Sequence, residues 1–194
     1  MAEKRKPKAA AKPKATPKPK PKPKTQAKAK SKPTAKAAPK RKAGASHWEK
    51  PLADNLLREL NAQAEDGVRH LMGKAAATAT PKDVVAALLA HVDKVHAGEI
   101  RSPKGKDDHV LMLACAWGEQ VCRGLGYQWV HVQWEGGGSI GIVPDNRAFA
   151  IYPMPYIRRI YEDPHADNTI LLLYNMLAAG NVPQSKPWTY LTLG

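Results

Sequence analysis

The chain has 194 residues, 25% of them charged, and a formal net charge of +14. That length supports one domain with extensions. No run approaches the roughly 20 apolar residues of a membrane-spanning helix, so no membrane partner is expected.

The charge is unevenly placed. Residues 1–46 hold 17 Lys and Arg against one Glu, a net of +16, whereas residues 47–194 hold 14 against 16 Asp and Glu, a net of −2. An excess confined to one end marks an interaction tail rather than a basic fold. The basic N-terminus is not followed by an apolar stretch of signal-peptide type, so a cytoplasmic, potentially nucleoid-associated protein is the expectation.

Residues 1–46 are built from Lys, Ala and Pro, with no aromatic and no branched aliphatic residue. Such a segment buries too little apolar surface to offset its ordering entropy, so the sequence predicts a disordered arm. Pro17 to Lys24 alternates Pro and Lys strictly, which favours polyproline II at about 3.1 Å per residue, a stiff spacer of roughly 25 Å. Lys outnumbers Arg fifteen to two in the arm. Lys is a hydrated point charge, and Arg is the planar fork that reads guanine edges. The arm is therefore suited to gripping phosphates without reading bases, with Lys12, Lys14, Lys18, Lys20, Lys22, Lys24, Lys28 and Lys30 as candidate contacts to nucleic acid or another polyanion. In composition it resembles the Lys/Ala/Pro-rich tails of linker histones and bacterial histone-like proteins. The plainer reading is a solubilising linker.

Apolar periodicity begins after Pro51. Leu52, Leu56, Leu57, Leu60 and Ala64 follow a 3.6 period, and Pro51 suits a first helical turn. Gly67 and Gly73 weaken the continuation through Leu71. A second helix starts at Thr80-Pro81-Lys82-Asp83, an N-cap followed by Pro and then an acid. Val84, Val85, Leu88, Leu89, Val92 and Val95 form its stripe, and Gly98 stops it. His91 and His96 lie five apart, diverge around this helix and make a poor metal pair. A third helix opens at Asp107 or Asp108 and carries Val110, Leu113, Ala114, Trp117 and Val121 on one side, with Gly118 allowing a close approach. Cys115 and Cys122 fall in it about 10 Å apart, too far to bridge each other or to share one metal, and read as buried thiols.

After Gly126 the period changes to two. Three strands are expected, Tyr127–Trp134, Ile140–Val143 and Ala148–Tyr152, joined by a hairpin turn at Glu135-Gly136-Gly137-Gly138 and a second turn at Pro144-Asp145-Asn146-Arg147. Val130, Val132 and Trp134 point one way; Tyr127, Trp129 and His131 point the other. Tyr127, Trp129 and Tyr152 are expected on one face, opposite Val130 and Phe149, as a candidate protein contact, unless Trp188 and Tyr190 cover it. A short helix over Tyr156–Tyr161 follows, and then a largely apolar one over Ile170–Ala179 that should be buried or lie at an interface.

The run from Leu113 to Tyr161 resembles a small bacterial domain family of unknown function. The likeness is carried by Trp117-Gly118-Glu119, by Leu125-Gly126-Tyr127-Gln128-Trp129-Val130, and by Tyr152-Pro153-Met154-Pro155 ahead of Arg158-Arg159. It implies an α+β fold and no assigned activity. The expected architecture is thus an α+β domain over 47–194, with N-terminal helices on a small antiparallel three-stranded sheet and C-terminal helices, behind the disordered arm.

No catalytic residues, cofactor or metal ligands emerge. Cys115, His131 and Asp145 or Asn146 invite a thiol-hydrolase reading, but a nucleophilic Cys favours an exposed helix N-terminus and Cys115 falls mid-helix. The function expected is a non-enzymatic domain tethered by its arm to nucleic acid, nonspecifically. The alternative is a protein-interaction or immunity-type module with an incidental tail.

Overall fold

The computed structural model describes residues 47–101, 103 and 105–194. The arm and the lysines named in it lie outside the described residues. Strand β1 (His47–Lys50) leads into helix α1 (Asp54–Met72), a 3-10 turn (Gly73–Ala75), α2 (Pro81–His96) and α3 (Lys106–Leu125). The sheet continues with β2 (Gln128–Trp134), β3 (Gly137–Val143) and β4 (Phe149–Ile151); α4 (Pro153–Glu162), α5 (Ile170–Ala178) and β5 (Leu191–Leu193) complete the chain. The class is α+β, as expected.

The start of α2 follows from local chemistry. Thr80 and Asp83 form a reciprocal capping box: the Asp83 amide donates to Thr80 Oγ1 at 3.3 Å, and the Thr80 amide donates to Asp83 Oδ2 at 3.1 Å. Helix α1 starts at Asp54, three residues later than Pro51 suggested. The reason is β1: Lys50 still pairs with His131, so the chain must leave the sheet extended before it can coil. Gly67 does not interrupt α1. A Cβ there would stand 2.7 Å from both Ala116 Cβ and the Met112 carbonyl oxygen, so the glycine is where α1 lies directly on α3.

The sheet differs from the expectation. Among the described residues it has five strands in the order β1-β2-β3-β4-β5, antiparallel throughout except for the parallel pair β4-β5. The two strands not foreseen are edges of four and three residues. They are held by ladder hydrogen bonds, and His47-Trp48-Glu49-Lys50 lacks the apolar alternation by which a strand is recognised. The β2–β3 hairpin is also tighter than the Gly run suggested. Trp134 pairs with Gly137, which leaves Glu135 and Gly136 as the two-residue turn, with Gly136 at φ 86°.

Helices α2, α3, α4 and α5 pack with one sheet face around Leu88, Val92, Leu113, Trp117, Ile142 and Ile157, all fully buried. Side chains of this size contribute about 1.5–3 kcal/mol each on burial. Trp117 Nε1 donates to the Ile170 carbonyl at 3.4 Å, so the one polar atom of its ring is satisfied. In α5, Ile170, Tyr174 and Leu177 are buried but Leu172 is 57% exposed, so that helix covers the core with one side only.

The other sheet face holds a smaller cluster of Val130, Val132, Val143 and Ala150, covered by Tyr190, Trp134 and Tyr152. This corrects the expected grouping of aromatic residues. Trp129 and Tyr127 pack on the helix side, Tyr127 with its ring 6.0 Å from Phe149, whereas Tyr152 lies with Val130 on the opposite face. Tyr152 follows β4 by one residue, and one step along a strand reverses the side-chain direction.

Candidate functional site

Among the described residues, one group of three potential metal ligands converges: His70, His91 and His109, whose ligand atoms all lie within 4.8 Å of one another. The fold assembles them from three helices. His70 stands in the last turn of α1, His91 in the second half of α2 and His109 in the first turn of α3. The close approach at Gly67 explains the first and third. With α1 antiparallel to α3 and Gly67 seated on Met112, three residues forward on α1 and three back on α3 bring His70 to His109. His91 arrives from α2, whose register is set by Val84, Val85, Leu88 and Val92 packing inward.

The rings form a closed triangle with centroids 5.2 Å (His70–His91), 5.0 Å (His70–His109) and 5.4 Å (His91–His109) apart. The Nε2 atoms of His91 and His109 face each other at 3.2 Å. Tyr161 closes the inner side, its ring 5.6 Å from that of His109. Burial, and then the neighbouring His70, hold His109 down to about 4. The same two causes, with Lys94 a weaker third, lower His91. Both imidazoles are therefore neutral at pH 7 and keep a lone pair. His96, the other histidine of α2, goes elsewhere: its Nε2 meets the Tyr161 carbonyl at 3.3 Å. The divergence of His91 and His96 is real, but His91 finds partners on other helices.

Of the two thiols expected to be buried, Cys115 is buried and Cys122 is half-buried. Cys115 is buried with Leu60 and Ala64, and burial pushes it up to about 11; Cys122 is raised further, by burial and by Glu119. Of the other residues of the hydrolase reading, His131 lies in β2 and the remaining two are engaged in the turn: Asp145 accepts from Gln128 Nε2 at 2.9 Å, and Asn146 Oδ1 accepts from the Ala148 amide at 3.0 Å. Trp129 fills the space above Gly118, where any Cβ would overlap its ring, and Trp129 Nε1 reaches Glu119 Oε2 at 3.4 Å.

On the far sheet face the aromatic cover is anchored by charge. Arg147, at φ 53° in the turn before β4, donates from Nη2 to Glu49 Oε1 at 3.1 Å and from Nε to both carboxylate oxygens. Both side chains are close to buried, 12% and 6% exposed. The Arg147 guanidinium also lies 5.7 Å above the Trp188 ring. Burial and the Glu49 carboxylate push Tyr190 up to about 12. The ion pair therefore ties β1 to the loop ahead of β4, and the C-terminal segment closes over both.

No protein-family model matches this chain, and neither a curated protein nor a solved structure does.

Proposed function

We propose that the protein is a two-part tether. Residues 1–46 grip nucleic acid or another polyanion without sequence preference, and a non-enzymatic α+β domain is carried on them. The observation that carries this reading is the partition of charge, +16 over residues 1–46 against −2 over residues 47–194. Fifteen of the arm's cations are Lys, which supply attraction to phosphates but little base readout.

The domain's own cations support the same division. Arg147 is taken by Glu49 at 3.1 Å, Arg158 by Asp107 at 2.9 Å and Lys106 by Glu162 at 3.4 Å, so three of its fourteen cations face carboxylates. For the non-enzymatic part, the support is the buried thiol of Cys115, raised by burial, which leaves that constellation without a ready nucleophile.

A salt titration tests the reading, with the full chain and residues 47–194 on two unrelated duplexes. If about eight lysines engage phosphates, log K falls against log salt with a slope of roughly −7, from about −0.9 per contact. Both duplexes should bind alike, and the truncated chain should not bind. Binding that survives truncation, or that hardly responds to salt, overturns the proposal.

A further inference from the structure

We propose that His70, His91 and His109 bind one divalent transition-metal ion of the zinc class. Tetrahedral coordination with Zn–N bonds of about 2.0–2.1 Å sets ligand nitrogens about 3.3 Å apart. The Nε2 atoms of His91 and His109 already stand 3.2 Å apart, and all three ligand atoms fall within 4.8 Å of one another. The remaining gap closes by a movement of about 1 Å or more at His70, on the exposed last turn of α1.

The donor set decides the class of ion. Three imidazoles without a carboxylate suit zinc, copper, nickel or iron, whereas magnesium and calcium need oxygen ligands. Three protein ligands also leave a fourth position free, the pattern of sites that hold a water or an incoming group. A cleft of about 400 Å³ borders His70 and His91, with Lys94 and Ile100 on its wall, so the cluster is open on that side.

The site would act as a staple. It joins the end of α1, the second half of α2 and the start of α3, and an unfolded chain holds no such arrangement, so binding stabilises the fold. The arm cannot mimic the signal, because all seven histidines and both cysteines lie beyond residue 46. This inference is independent of the polyanion proposal, which rests on the arm alone.

The test uses the full chain, stripped with a chelator and dialysed. Zinc is titrated calorimetrically and cobalt by its visible absorption, with His70→Ala, His91→Ala and His165→Ala alongside. We expect one equivalent bound and a melting temperature raised by roughly 10 °C at free zinc 1,000 times Kd. Losing a partner that merely orients a ligand costs about 10–100-fold in affinity, so removing a ligand should cost more than about 100-fold. His165, exposed on the loop after α4, should be neutral. Because His70 is exposed, His70→Ala should keep its far-ultraviolet circular dichroism, and its loss of binding is then not a loss of fold. Absence of binding by the folded chain, binding unchanged in His70→Ala, an equal loss in His165→Ala, or magnesium binding more tightly than zinc would each overturn the inference.

Discussion

Gly67→Ala sets helix propensity against packing, and the two predict opposite signs. In an exposed helix interior the change stabilises by about 0.8–1.0 kcal/mol. Here the new methyl would meet Ala116 Cβ and the Met112 carbonyl oxygen, each at 2.7 Å. Carbon contacts are optimal at about 3.5–4.0 Å, so α1 and α3 must part by nearly 1 Å, a gap that forfeits a quarter to a half of the dispersion at the seam. One obstacle is backbone inside a helix and cannot rotate away, which places the overpacking cost in the upper half of the usual range of about 1–3 kcal/mol. The net expectation is a destabilisation of about 1–2 kcal/mol, or a fall in Tm of about 3–6 °C for a domain of this size. Denaturant unfolding of wild type and Gly67→Ala measures it, with the slope m checked for constancy. The same variant should weaken zinc binding, since the seam that brings His70 to His109 lies one helical turn away. A variant as stable as wild type, or more so, would refute the claim that α1 lies directly on α3 at this point.

Several other changes have signs set by the structure. Glu49→Ala strands the nearly buried Arg147 and should cost about 3–5 kcal/mol by denaturant unfolding, far more than loss of the exposed Arg69–Asp66 pair. Cys115, pushed up to about 11 by burial, should resist alkylation at pH 8 in the native protein and react readily in denaturant, and Cys115→Ser should cost about 1–3 kcal/mol through a buried hydroxyl. Trp129→Ala should cost about 3 kcal/mol, near the low end for a large aromatic since the indole is only half-buried, and a variant of unchanged stability would show that Trp129 is not part of the packing. Lys20→Ala and Lys22→Ala should each weaken duplex binding slightly and equally on any sequence, because the arm's charges are redundant.

What could be read from the chain beforehand depended on whether the signal was local. The N-cap at Thr80 with Pro81 and Asp83 behind it, the stripe of α2, a hairpin turn after Trp134 and the period change after Gly126 are each written within a dozen residues, and each is found, although the turn is two residues rather than four. Edge strand β1 carries no such mark, and β5, Leu191-Thr192-Leu193, alternates over three residues only, too few to be read as a strand; ladder hydrogen bonds to β2 and β4, which are indifferent to side chains, hold both. The aromatic grouping failed for a related reason. Placing Tyr152 with Trp129 assumes that the two are in phase across the turn from β3 to β4. The register pairs Trp129 with Ile142 and Ile142 with Ile151, which sends Tyr152 to the other face. At Gly67 the residue was visible but its meaning was not. A glycine in a helix is a weakness by propensity and a contact point by packing, and only the Met112 carbonyl beside it decides which.

The histidine cluster was the least legible feature, and the reason is geometric. A metal pair within one helix announces itself by a spacing of three or four, and His91 and His96, five apart, lack that spacing. Ligands drawn from three helices have no fixed spacing; His70, His91 and His109 are separated by 21 and 18 residues, set by loop lengths that carry no chemical constraint. One sequence signal did exist. Each of the three lies at the border of an apolar stripe, His70 beside Leu71, His91 beside Val92 and His109 beside Val110, with Val92 and Val110 fully buried. Histidines at the rim of the core on neighbouring helices are candidates to meet wherever those helices pack against one another. That condition holds here because Gly67 lets α1 settle on α3 and the capping box fixes where α2 begins. The site therefore depends on residues that ligate nothing, and Gly67→Ala is predicted to disturb it without touching a histidine.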